Sequence, residues 1–143
     1  SAAPGLCPPF TYFSNSRGLL ERQLSNFYPS RISVFDREFA TAEHAFHAMK
    51  SGSEEYRDCF TIGKASYVGD EAAQAKKAGG KNGVMKKLGV VIRPDWSTVR
   101  LGVMREILEA KFRGSGAGDF KAALLSTGSR RLCHAGFRID RFW

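Results

Sequence analysis

Two rhythms of apolar residues run along this chain. Ile32, Val34 and Phe39 flank a turn at Phe35-Asp36, and their alternation predicts a short hairpin within residues 24–41. The earlier stretch "FTYFSNS" (10–16) reads as a short strand entering a turn. From Thr41 the spacing lengthens to three and four. Thr41 suits an N-cap, with Glu43 in the first turn, where the helix dipole favours a carboxylate. That helix carries Ala45, Phe46, Ala48 and Met49 and stops near Gly52. Ser53 caps a second helix, with Glu54 and Glu55 in its first turn and Tyr56, Phe60 and Ile62 facing inward. Asp70 is the expected cap of a third, closed by Lys76, Lys77 and Gly79, and "KNGVMKKLG" is a short fourth. The strongest pattern is residues 97–113, where Val99, Val103, Met104, Ile107, Leu108 and Phe112 share one face. "GSGAG" (114–118) makes a surface loop, Asp119 caps a final helix, and the tail is irregular, anchored by Leu132 and Phe137.

These elements predict an α+β fold: one mostly helical domain over residues 10–143, with a small antiparallel β element near the N-terminus. Residues 1–9 form a flexible segment. A length of 143 residues, 43% of them hydrophobic and including eleven Phe, suits a single packed core. No apolar run approaches the roughly 20 residues that span a bilayer, so no membrane partner is expected. The N-terminus lacks the basic start and apolar stretch of a signal peptide. Cys7, Cys59 and Cys133 are odd in number and in no metal-ligand spacing. They read as reduced thiols of an intracellular protein, cytoplasmic or, in a eukaryote, nuclear.

A net charge of +8 changes the picture by pointing to an anionic partner. Between residues 64 and 93, Lys64, Lys76, Lys77, Lys81, Lys86, Lys87 and Arg93 face only Asp70 and Glu71. Most of these bases form a solvated face. Lys76, Lys81 and Arg93 are the candidates for holding a diphosphate.

Within the helix after Thr41, "ATAEHAFHAMK" (40–50) gathers Glu43, His44 and His47. A zincin needs His-Glu-x-x-His, whereas the order here is Glu-His-x-x-His. A di-iron bundle needs a second Glu-x-x-His, and the helix with Glu106 and Glu109 has no His. No metal is therefore expected. Spacing alone leaves two readings open: an acid–base site, or the polar edge of a core helix.

Read together, "LSNFYPS…FATAEHAFHAMK", "RPDWSTVRLGVMREILEAKF", "ALLSTG" and the closing "DRFW" resemble the NADAR family, also called YbiA-like, from about Phe10 to Trp143. The resemblance implies an N-glycosidase fold acting on ribosylated bases. Three functions follow from it. One is an ADP-ribosylglycohydrolase that removes ADP-ribose from guanine in DNA or RNA. Another is an N-glycosidase of ribosylamino-pyrimidine intermediates of the riboflavin pathway. The third, from another class, is a non-catalytic module that binds ADP-ribose or nucleic acid. Two departures stand out. Family members carry a carboxylate where this chain has His134, and they continue past the late Trp with a Gly-rich segment that is absent after Trp143.

Carried over position by position, Glu43 matches the family's catalytic glutamate, Trp96 its functional tryptophan, and Asp140 an acidic residue before the late Trp. Breaking an N-glycosidic bond builds positive charge at the anomeric carbon, as in glycoside hydrolysis. An ionised Glu43 would stabilise that charge and orient a water. Asp140 either protonates the departing base or caps the final turn. Trp96 either stacks on a base or leads the long helix into the core. Trp143 joins the binding aromatics. Asn26 holds ribose hydroxyls or forms a turn. His44 contacts a phosphate or ribose, or orients Glu43 from behind. No GxGxxG is present, so no Rossmann cofactor is expected.

Overall fold

A computed structural model of the chain describes residues 10–12, 18–114 and 116–134. The hairpin forms as the pattern predicts: β2 (Ile32–Val34) pairs antiparallel with β3 (Arg37–Phe39), placing Ile32 opposite Phe39. Phe35 and Asp36 both have φ of 57°, the left-handed pair that a two-residue hairpin turn requires. Arg37 fastens this hairpin to the helix at Glu54–Asp58 and the turn after it, through Glu54, Asp58 (2.6 Å) and Thr61 (3.0 Å).

The helices α1 (Leu19–Leu24), α2 (Ala42–Ala48), α3 (Glu54–Asp58), α4 (Ala72–Ala78), α5 (Val84–Leu88), α6 (Trp96–Arg113) and α7 (Gly118–Ser126) make up nearly half of the described chain. With the hairpin, they give the expected α+β architecture. Thr41 and Ser53 cap α2 and α3 by accepting from the backbone N–H of His44 and Tyr56. Gly89, at φ 68°, closes α5 in the left-handed conformation open to glycine. α2 sits at the centre, packed against α4, α6 and the hairpin. Its Ala42, Ala45 and Ala48 are fully buried, as are Phe39, Tyr56, Phe60 and Ile107 around it. Each large apolar side chain so buried contributes about 1.5–3 kcal/mol. No helix among the described residues is long and apolar enough to cross a membrane.

Four local expectations are corrected. Asp70 is not the cap of α4: Glu71 is, in a reciprocal capping box with Gln74, while Asp70 accepts from the Tyr67 hydroxyl at 2.7 Å. Asp119 lies inside the first turn of α7 and its N-cap is Ala117, because that helix begins two residues earlier than expected, at Gly118. The tail is not wholly irregular. A strand β4 (Leu132–His134) lies parallel to β1 (Phe10–Tyr12), an association between distant segments that no local pattern announces. Leu132, expected as an anchor, is 41% exposed, and Phe137 lies outside the described residues. α1 was not foreseen at all. It is short, and only Leu24 is buried on it.

One charged group is enclosed in the core. Lys111, on α6, is 2% exposed. Its ammonium donates to the Ser25 carbonyl at 2.8 Å and lies 5.2 Å from the rings of Phe112 and Phe120. Burial pushes its pKa down to about 7. The unfolded chain holds this proton up to the ordinary lysine range, whereas the folded chain releases it near 7. Deprotonation therefore favours folding between these limits. Below pH 7 both states are protonated and the buried cation exerts its full cost. Urea unfolding at pH 7 and pH 9 should show the wild type gaining about 2 kcal/mol over that interval relative to Lys111→Met. Parallel pH dependence in the two proteins would contradict this assignment.

Candidate active site

The site is built on α2 and the turn that follows it. Glu43 and His47 are four residues apart on one face of the helix, and Lys50 lies just past its C-cap, Met49. The Glu43 Oε1 atom is 2.8 Å from Nε2 of His47, and the two side chains are 15% and 8% exposed. A carboxylate accepts, so the Nε2 atom carries the hydrogen of this bond. The loop before the hairpin meets the same turn of helix: the Glu43 backbone N–H donates to the Asn26 carbonyl at 3.2 Å. Asn26 thus reaches the site at least through its main chain. Lys50 is half-buried and donates to the Gly79 carbonyl at 3.2 Å. Burial lowers its pKa, and the negative charge of Glu43 works in the opposite direction.

His44 faces the other way. It is fully buried, and both ring nitrogens are occupied. Nε2 donates to the Gly69 carbonyl at 2.7 Å, and Nδ1 lies 2.8 Å from the Thr41 hydroxyl. Because a carbonyl only accepts, Nε2 is the protonated nitrogen, and the Thr41 O–H donates to Nδ1. Burial pushes the pKa of His44 down, favouring the neutral ring that this pattern needs. The ring therefore supports the helix that carries Glu43, with both of its nitrogens engaged by the fold.

Trp96 is 8% exposed, in the core, with its indole 5.0 Å from the ring of Phe46. Through this contact the first turn of α6 rests on α2. Lys76 is exposed on α4, and its ammonium lies 5.7 Å from the ring of Phe27, next to Asn26. Lys81 is exposed between α4 and α5. Arg93 is engaged by Asp95 through two bonds of 2.6 and 2.9 Å, so its charge is matched locally. Asp140 and Trp143 lie outside the described residues. Among the described residues, no group of three or more His, Cys, Asp or Glu side chains is arranged to hold a metal ion.

Sequence reasoning missed three features. Lys50 was signalled by its spacing from Glu43 and His47. Lys111 was signalled by its place four residues after Ile107 on the buried face. An open groove of about 380 Å³ lined by Arg22, Phe27, Tyr28 and Pro29 had no comparable signal, because it joins a helix to a loop.

Residues 12–143 match the family model described as the NADAR domain. An N-glycosidase of Nostoc punctiforme is 29% identical over 119 residues, which span 83% of this chain and 69% of that protein. The NMR structure of the E. coli protein YbiA is similar with a TM-score of 0.67 and 25% identity, over 90% of this chain and 68% of that one.

Thr41 serves both the helix and His44, accepting from the backbone N–H at 3.2 Å and bonding the ring at 2.8 Å. Thr41→Val keeps the shape and removes both interactions. It should destabilise the protein by about 2–4 kcal/mol, combining a lost cap with a buried unpaired nitrogen, while Thr41→Ser stays within about 1 kcal/mol. Chemical denaturation of the three proteins checks this, and equal losses for Val and Ser would assign the role to the Thr methyl instead.

Proposed function

The chain belongs to the NADAR family, and from that premise we propose that it is an N-glycosidase releasing ADP-ribose from guanine in nucleic acid, with Glu43 as its catalytic carboxylate. The observation that carries this reading is the Glu43–His47 pair. A carboxylate withdrawn from most of the solvent is fixed at 2.8 Å by an imidazole on the following turn. A preorganised anion of this kind suits a reaction that develops positive charge. The name of the Nostoc punctiforme relative, an N-glycosidase, supports the same class of chemistry.

In the proposed reaction the bond between the anomeric carbon and the base nitrogen lengthens, and the sugar acquires oxocarbenium character. Glu43 stabilises that cation, orients a water and takes its proton as the water oxygen forms the new bond to the anomeric carbon. The departing nitrogen gains a proton. Asp140 remains the candidate donor for this proton. Its position in the chain carries that assignment, through the family resemblance.

The substrate class rests on charge and on aromatic surface. A net charge of +8 favours a polyanion. The groove at Arg22, Phe27 and Tyr28, with Lys76 beside Phe27, combines cationic and aromatic groups next to the loop that touches Glu43. Such a surface suits a base carrying phosphates. Action on nucleic acid would place the protein inside the cell.

Incubation with an oligonucleotide bearing ADP-ribosylated guanine, and separately with a ribosylamino-pyrimidine phosphate, tests the substrate. Free ADP-ribose should appear from the oligonucleotide. Turnover of the pyrimidine alone would move the protein to small-molecule metabolism, and binding without turnover of either would make it a reader. Glu43→Gln tests the mechanism, since it keeps the shape and removes the anion. Its turnover should fall by at least about 10²-fold with ligand binding retained. A near-normal rate would exclude Glu43 as the catalytic group.

A further inference from the structure

His47 has one nitrogen that does nothing visible. Nε2 is committed to Glu43, and Nδ1 is buried without a hydrogen-bond partner. Buried polar atoms are nearly always partnered, so an orphan beside a functional carboxylate calls for an explanation. The explanation lies at the end of α4. A Cβ built on Gly79 would fall 2.2 Å from Nδ1 of His47 and 2.4 Å from its Cγ, so the ring rests directly against the glycine. Gly79 has φ −84° and ψ 0°, a conformation open to any residue. Glycine is required there by contact and not by backbone shape. The carbonyl of the same Gly79 accepts from Lys50.

We infer that His47 is the positioning residue of the Glu43 carboxylate, and that bare Gly79 seals the far edge of its ring so that the imidazole presents a single donor to Glu43. A hydrogen on Nδ1 would point into a wall with no acceptor, which leaves Nε2–H as the tautomer that the site admits. Phe60 stacks on the same ring at 6.3 Å, with 21° between the planes, and the Tyr56 hydroxyl donates to the His47 carbonyl at 3.0 Å. The ring is thus held on its face, its edge and its backbone. It is a rigid support for a group that must not move as charge develops opposite it.

The inference rests on the reading of Glu43 as the catalytic carboxylate, yet its geometric part is testable without any substrate. Gly79→Ala should lower the melting midpoint by roughly 5–10 °C, because the added methyl meets the ring. In a His47→Ala background the same change should cost clearly less, since the ring atoms at 2.2 and 2.4 Å are gone and only the Cβ at 2.8 Å remains. Additive losses would overturn the contact. Nitrogen-15 NMR of the imidazole should show the hydrogen on Nε2, and a hydrogen on Nδ1 would overturn the tautomer. With a turned-over substrate, His47→Ala should lower kcat on the order of 10²-fold with KM little changed. His47→Gln, whose amide can donate to the same carboxylate, should recover most of that loss. An Ala variant with normal kcat, or a Gln variant no better than Ala, would remove the positioning role even if the melting cycle behaves as expected.

Discussion

Withdrawing α2 from water is the constraint on which the rest of the structure depends. Thr41, His44 and His47 are all buried along this short helix, and Glu43 nearly so. A buried polar group without a partner costs about 1–3 kcal/mol, so each had to be met from within the fold. The loop ending at Gly69 supplies a carbonyl to His44, Thr41 supplies its hydroxyl, and Nε2 of His47 meets Glu43, leaving Nδ1 of His47 as the exception. Several neighbouring elements are placed by these demands as much as by apolar packing. Gly79, the C-cap of α4, can approach His47 only because it has no side chain.

Lys111 plays a comparable part at a distance. Its ammonium, drawn into the core by α6, binds the carbonyl of Ser25, and the next residue, Asn26, accepts from the Glu43 backbone. The long helix is thereby joined to the loop, and the loop to the first turn of α2. The groove at Phe27 and Tyr28 lies on the same loop, and Tyr28 packs edge-on against Phe120 at 5.8 Å. A ligand seated there would press on a segment already fixed at both ends, which suits a site that must hold its carboxylate still.

The positive charge is not spread evenly in its consequences. Arg31, Arg37 and Arg93 are tied to Glu38, to Glu54 and Asp58, and to Asp95. These pairs fasten the hairpin and the approach to α6. Lys76 has a different setting, over the ring of Phe27 next to the candidate site. The basic residues therefore include some that hold the protein's own surface together and others, such as Lys76, that stay exposed without a carboxylate partner in these pairs.

Local chemistry determined the parts of this protein that depend on neighbours in sequence. Alternation and a turn produced the hairpin, Thr41 and Ser53 capped their helices, and the three-and-four spacing of Val103, Met104 and Ile107 set the buried face of α6. Glu43 and His47 stood out for the same reason, since one helical turn brings them together whatever surrounds them. Tertiary structure decided everything that joins remote segments: the parallel pairing of β1 with β4, the burial of Trp96 on Phe46, and the enclosure of Lys111 beside Ser25. It also separated the two histidines. In sequence one is adjacent to the carboxylate and the other a helical turn away. The packing of the 64–71 loop committed His44 to the scaffold, and the end of α4 closed the far edge of the His47 ring, because a side chain's role follows from the atoms that reach it, and those atoms come from elsewhere in the chain.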